Sequence, residues 1–120
     1  MDILITDGMD KEGLEVLKRF KINYVLERCS PEELLKVIHI YNGLIIRSRT
    51  RVTKEVIEKA KNLLIVGRAG VGTDNIDIEA ASDNGILVKY APHGNSISTA
   101  ELAFGLMLSL ARNIPQATMT

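Results

Sequence analysis

Two arginines and a glycine-rich run are the residues of this chain best suited to chemistry. Arg47 follows the apolar run Gly43-Leu44-Ile45-Ile46, and Arg68 sits in Val66-Gly67-Arg68-Ala69-Gly70-Val71-Gly72. Guanidinium forks take carboxylate or phosphate at two points, and glycines let backbone N–H groups approach an oxyanion closely. If the apolar runs are parallel strands, Asp7-Gly8, Arg47-Ser48, Gly67 to Gly72 and Ala91-Pro92-His93-Gly94-Asn95 all fall on one rim. Open α/β sheets bind their ligands beyond the carboxyl ends of the strands, so the pattern predicts a pocket for a small anion. The competing reading is structural: Arg47 and Arg68 pair with Asp7, Asp74 or Glu79 and hold loops in place.

Other chemistries fit these residues less well. Gly70-Val71-Gly72-Thr73-Asp74-Asn75 lacks the third glycine of a dinucleotide fingerprint. Ile86-Leu87-Val88 is followed by Lys89 and Tyr90, where a ribose would need an acidic residue. His93 has no cysteine or second histidine at metal-ligand spacing, so no metal site is expected, and His39 reads as an ordinary helix residue. No nucleophile-elbow sequence supports a Ser–His–Asp hydrolase. Fifteen basic residues against fifteen acidic ones give a formal charge of zero. That removes the overall field by which nucleic acid or an anionic membrane would be drawn to the chain. Cys29 is the sole cysteine, which rules out an internal disulfide and fits an inert thiol in a reducing cytosol.

Regular elements must position these groups, and 120 residues with 46% apolar side chains suffice for one domain with a real core. Ile3 to Thr6, Ile22 to Leu26, Gly43 to Ile46, Leu63 to Val66 and Ile86 to Val88 read as strands. Lys11 to Phe20, Pro31 to His39, Thr53 to Asn62 and Ile78 to Asn84 read as helices. Strict alternation predicts an α/β, flavodoxin-like fold: a five-stranded parallel sheet with helices on both faces. The second helix is the best delimited, with Ser30 as cap, Pro31 at the first helical position and Glu33 completing a capping box. Thr53 can cap the third helix, and Gly85 can end the fourth in the left-handed conformation. The opening Met1-Asp2-Ile3-Leu4-Ile5 reads as a strand, not a signal peptide.

The last segment differs. Ser98-Thr99-Ala100-Glu101 matches a capping box leading into a helix to Arg112 that is apolar nearly all round. Such a helix needs cover on several sides, one sheet covers one, and something outside this chain is expected to cover the rest. A membrane span needs roughly 20 apolar residues; this run is shorter and bounded by Glu101 and Arg112. Gly105 within it marks either close packing or a tolerated glycine.

Taken together, Leu44-Ile45-Ile46-Arg47-Ser48, Val66 to Asp77, Ala91-Pro92-His93-Gly94-Asn95-Ser96 and Leu110-Ala111-Arg112-Asn113-Ile114-Pro115-Gln116-Ala117 resemble the D-isomer-specific 2-hydroxyacid dehydrogenases over the whole chain. The Arg-Ala-Gly-Val-Gly block and the Ala-Arg-Asn-Ile-Pro-Gln-Ala ending are most similar to the family's phosphoglycerate-oxidising branch. The resemblance implies a small anionic substrate, 3-phosphoglycerate or 3-phosphohydroxypyruvate, and NAD as cofactor, in serine biosynthesis. It also implies a cytoplasmic homo-oligomer with neither nucleic-acid nor membrane partner. Arg47 and Ser48 match positions on the substrate's phosphate side, and Arg68 matches a second basic contact. Gly70 and Val71, with Ala69 before them, match the loop whose amides take the carboxylate, and Val71 also approaches the nicotinamide. Asn95 matches a loop position beside the same pocket, while Tyr90 departs from the asparagine usual there.

No catalytic residue is implied within this chain, because the family's histidine, its glutamate, a further arginine and the NAD fingerprint match nothing before Thr120. Residues 1–95 are therefore expected to form a substrate-binding domain and 96–120 a hinge helix towards an NAD-binding domain, the chain alone being inactive. A glyoxylate or hydroxypyruvate reductase is the alternative within the family, and a non-catalytic interaction module using the apolar helix is the alternative outside enzymes. A signalling receiver would need an aspartate after the third strand, where Arg47 stands.

Overall fold

The computed structural model describes residues 2–69, 75–91 and 96–112. Strands β1 (Asp2–Ile5), β2 (Asn23–Leu26), β3 (Gly43–Ile46), β4 (Ile65–Ala69) and β5 (Leu87–Ala91) alternate with helices α1 (Lys11–Arg19), α2 (Pro31–Val37), α3 (Lys54–Lys59), α4 (Ile78–Asp83) and α5 (Ser96–Arg112). All strand pairs are parallel, in the order β2-β1-β3-β4-β5. The expected flavodoxin-like α/β sheet is what the chain forms.

The period of two along each strand divides the core in two. Leu4, Leu44, Ile46 and Val66 point to one face, where they meet Leu34 of α2, Val56 and Ile57 of α3, and Ala80 and Ala81 of α4. Ile3, Ile5, Ile45 and Ile65 point to the other, against Leu17 of α1 and Leu102, Ala103 and Leu106 of α5. Side chains buried from both directions explain why the central strands read as unbroken apolar runs rather than as alternating ones.

The helix ends follow the sequence closely. Ser30 Oγ accepts from Glu33 N and Glu33 Oε1 accepts from Ser30 N, so the capping box of α2 is complete. Thr53 caps α3, and Gly85 (φ +71°) takes the left-handed conformation just past the Asn84 cap of α4. Several boundaries differ from expectation; those of β1, β2, α1 and α4 shift by a single residue, and α3 ends at Lys59 instead of Asn62. The α2 helix ends at Val37 and continues as a 3-10 turn over Ile38–Ile40, which places His39 in that turn. Helix α5 starts at Ser96, so Ser98-Thr99-Ala100-Glu101 lies inside the helix; among several serines and threonines in a row the pattern does not single out the first. Strand β4 spans Ile65–Ala69 instead of Leu63 to Val66, and β5 spans Leu87–Ala91 instead of Ile86 to Val88. The two strands support each other's extension through the pairs Gly67↔Lys89, Arg68↔Tyr90 and Ala69↔Ala91.

Helix α5 lies on the sheet at its glycines. A Cβ on Gly67 would stand 2.6 Å from Leu102, and one on Gly105 would stand 3.2 Å from Ile65. Gly105 thus marks close packing. The opposite flank of α5 carries Phe104 (57% exposed) and Leu108 (51% exposed), in keeping with a helix whose outer side the described residues leave uncovered. Among the described residues no helix is long and apolar enough to cross a membrane.

Candidate functional site

The strand order reverses between β1 and β3, and such a switch point opens a crevice at the carboxyl ends of the strands. A small cleft of about 30 Å³ lies there. Gly8 and Met9 follow β1, Arg47 follows β3, Arg68 and Ala69 end β4, Lys89 and Tyr90 belong to β5, and Thr99, Glu101 and Leu102 come from the first turns of α5; all line it. Arg47 and Lys89 against Glu101 leave the wall with an excess of positive charge, the sign an anion would require.

The two arginines are held very differently. Arg47 is exposed, and no carboxylate among the described residues pairs with it. Arg68 is not in a loop, as the glycine-rich run suggested, but inside β4 and only 4% exposed. The strand alternation sends its side chain to the same face as Ile46, with which it is in register. There Arg68 Nε donates to Asn75 Oδ1 at 2.6 Å. Its Nη1 is buried with no hydrogen-bond partner among the described residues. A buried polar hydrogen left unmatched costs on the order of 1–3 kcal/mol, and more on a charged group.

Asn75 is itself 92% buried by its neighbours, being 8% exposed. Its Nδ2 donates to the carbonyl oxygens of Arg47 at 2.6 Å and Thr50 at 2.7 Å. Since carbonyls only accept, the amide nitrogen must face them and the oxygen must face Arg68, which fixes the side chain's orientation. Backbone bonds place it: Val52 N donates to Asn75 O at 2.7 Å and Asp77 N donates to Val52 O at 2.9 Å, around the bridge Val52↔Ile76.

Asp7 does the complementary work. Its Oδ2 accepts from the backbone N–H of Arg47 at 2.8 Å and of Thr50 at 3.0 Å, and its Oδ1 accepts from the Thr50 hydroxyl at 2.6 Å. Arg49 Nε lies 3.3 Å from Oδ1. With its hydrogen committed to Asp7, the Thr50 hydroxyl must accept the 2.8 Å bond from the Thr6 hydroxyl. Burial would raise the Asp7 pKa, but the Thr50 hydroxyl, the two backbone N–H groups and Arg49 outweigh it and hold the carboxylate below its ordinary range.

The structural reading of the arginines is therefore corrected in detail: Asp7 engages Arg49 and the Arg47 backbone, not the Arg47 or Arg68 guanidinium. Of the residues singled out from sequence, Arg47, Arg68 and Ala69 line one cleft, while Ser48 is exposed and is not part of its wall. Gly70, Val71 and Asn95 lie outside the described residues, as do Asp74 and His93. Glu79 sits in the first turn of α4 and is exposed. Sequence reasoning did not find Asp7, Thr50 and Asn75 as one polar knot, nor Lys89 on the cleft. Asn75 stood in the Asp-Asn-Ile-Asp run, where its only legible signal was a polar residue ahead of a helix. Among the described residues no three of His, Cys, Asp and Glu gather as a metal site would need.

Comparison with known proteins places this geometry. The model of the D-isomer specific 2-hydroxyacid dehydrogenase catalytic domain matches residues 3–119. A D-3-phosphoglycerate dehydrogenase of Methanocaldococcus jannaschii is 51% identical over 116 residues, 97% of this chain and 22% of that protein. A crystal structure of a Pyrococcus horikoshii protein is similar with a TM-score of 0.71 at 34% identity, covering 75% of this chain and 27% of the other. The NAD+-bound 3-phosphoglycerate dehydrogenase of Entamoeba histolytica is similar with a TM-score of 0.64 at 26% identity, covering 75% and 32%. The chain thus spans about a fifth of the length of the curated relatives it matches. On a match that takes in nearly every residue, the chain belongs to the D-isomer-specific 2-hydroxyacid dehydrogenase family.

Proposed function

We propose that this chain is the substrate-binding portion of an NAD-dependent D-3-phosphoglycerate dehydrogenase, an enzyme that oxidises 3-phosphoglycerate to 3-phosphohydroxypyruvate in serine biosynthesis. The observation that carries the reading is Arg47: an exposed residue on the cleft wall whose guanidinium no carboxylate among the described residues pairs with. Such a group is open to an anion entering the cleft. Relatives at 47% to 51% identity named D-3-phosphoglycerate dehydrogenase support the substrate. In this reading Arg47 and Ser48 face the phosphate side, Arg68 is the second basic contact, and Ala69, Gly70, Val71 and Asn95 complete the pocket. The charge excess of the cleft favours a substrate bearing both phosphate and carboxylate over glyoxylate or hydroxypyruvate.

NAD would supply a hydride acceptor for such a substrate. The described residues do not fit that cofactor: β5 ends on Lys89, Tyr90 and Ala91, where a ribose would need a carboxylate. NAD is assigned to the part of the protein outside this chain, with Val71 at most beside it. Residues 1–95 then act as the substrate-binding domain and 96–120 as the hinge, α5 resting one flank on its own sheet and turning the apolar other flank outward. In this reading the whole enzyme is a cytoplasmic homo-oligomer, and the chain by itself is inactive.

The test is an amide NMR titration of the labelled chain with 3-phosphoglycerate, against sulfate and glyoxylate at matched ionic strength. Saturable shifts at Arg47, Ser48 and Gly67 to Ala69, selective for 3-phosphoglycerate and weakened about tenfold in Arg47→Ala, are expected from loss of a charge-assisted contact. An unchanged affinity in Arg47→Ala, or equal response to all three anions, would overturn the reading.

A further inference from the structure

We infer that Asn75 is a positioning residue that ties the cleft loop carrying Arg47 to the buried Arg68 side chain behind it, with Asp7 as its counterpart. The inference rests on the reading of the cleft as an anion site and names what keeps that site in shape.

The geometry has an unusual regularity. In the loop 47–50, Arg47 and Thr50 each have their backbone N–H bound by Asp7 and their backbone C=O bound by Asn75. The loop is therefore gripped from two sides through its main chain, with the Thr50 hydroxyl and Arg49 adding to the hold of Asp7. Asp7 comes from the end of β1 and Asn75 from the segment entering α4, so the grip joins three separate stretches of chain. Neither contact uses the side chain of Arg47 or Ser48, which stay exposed for a ligand.

Asn75 adds a second function to this grip. The same amide whose nitrogen holds the Arg47 carbonyl has its oxygen on Arg68 Nε, at equal distances of 2.6 Å. The Arg68 fork is thereby turned so that Nε is satisfied internally while Nη1 keeps no partner among the described residues. The position of one arginine's backbone and the orientation of the other's side chain are set by a single planar group. Misplacing a binding group by about 1 Å can cost two orders of magnitude in a reaction, so fixing the loop that carries Arg47 has direct functional value. Asparagine is the residue required: the site needs one acceptor and two donors in a plane, and aspartate would put an oxygen against two carbonyl oxygens.

The experiment follows the Arg68 Nε–H signal of the isotopically labelled 120-residue chain without ligand, then measures affinity for 3-phosphoglycerate and inorganic phosphate. In Asn75→Ala, the exchange of Arg68 Nε–H with water should accelerate at least tenfold, and both affinities should fall about tenfold in protein that is still folded. Asn75→Asp keeps the acceptor for Arg68 and the side-chain shape, so Nε–H exchange should return to slow, while the amides of Arg47 and Thr50 broaden and phosphate affinity stays reduced. A role in stability alone would lower the unfolding midpoint and leave both readouts of the folded fraction unchanged, which would overturn the inference. So would affinity restored to the parent value in Asn75→Asp. If the parent bound neither anion, the substrate reading of the cleft would fall, while the exchange and amide data would still decide whether Asn75 ties the loop to Arg68.

Discussion

Replacing Gly67 with alanine is expected to destabilise the fold through one identifiable collision. The new Cβ would lie 2.6 and 2.7 Å from the two methyl groups of Leu102 and 3.2 Å from its Cγ. Carbon atoms in good contact stand about 3.5–4.0 Å apart, so the overlap is roughly 1 Å, and with both methyls involved a simple rotation of Leu102 does not relieve it. Helix α5 must retreat from β4 or the side chain must leave its rotamer, at a cost of about 2 kcal/mol, or roughly 8 °C in Tm for a chain of this size. Leu102→Ala alone removes atoms from a residue 7% exposed and should cost about 3 kcal/mol. The double variant places the alanine Cβ of position 67 in the space Leu102 vacates. Its loss should therefore fall short of the sum by about 1–2 kcal/mol, and Phe104→Ala on the exposed flank should change stability by less than about 0.5 kcal/mol. Urea unfolding of the parent and the four variants measures all of these. Additivity of Gly67→Ala and Leu102→Ala within about 0.5 kcal/mol would refute the seating of α5 on Gly67 and the fold-back of that helix onto its own sheet.

Further outcomes follow from Asp7 and Cys29. Asp7→Asn turns one acceptor into a donor facing N–H groups and should destabilise by about 2 kcal/mol at pH 7. Because the folded carboxylate titrates below its ordinary value of 3.8, its contribution is fully present above that value and is lost as pH falls through the lower folded one. The stability gap between parent and Asp7→Asn in unfolding scans should thus be constant from pH 7 to about 5 and shrink below about 4; a gap that persists at lower pH would contradict the role assigned to the carboxylate. Burial raises the Cys29 thiol pKa, with Glu27 and Glu33 adding to it, and the Sγ donates to Glu27 O. Native Cys29 should react with a maleimide at neutral pH at least tenfold more slowly than in urea, and equal rates would show the thiol to be open.

Much of the scaffold is legible in the sequence. The capping box at Ser30 and Glu33, the stop at Gly85 and the apolar runs of β1, β3 and β4 are local signals, set within one turn or one strand, and all appear in the structure. The motifs around Arg47 and Arg68 were equally legible, and they carried the family. Less so was the end of β4: glycines beside an arginine read as a loop, yet pairing with β5 and the weight of Leu102 over Gly67 draw Gly67, Arg68 and Ala69 into the sheet.

The sequence by itself thus determined the alternation of strands and helices, the parallel sheet with its two apolar faces, and the presence of basic residues at strand ends, because each depends on period and composition over short stretches. Only the tertiary structure decided that Arg68 is buried and Arg47 free, that α5 covers the face opposite Asn75, and that Asp7 and Asn75 grip the loop 47–50. Those contacts join residues 40 and 28 positions apart. Asp7 and Asn75 carry no periodic or local signature of such pairing, and only the strand order that sets β3 between β1 and β4 brings them to the same loop.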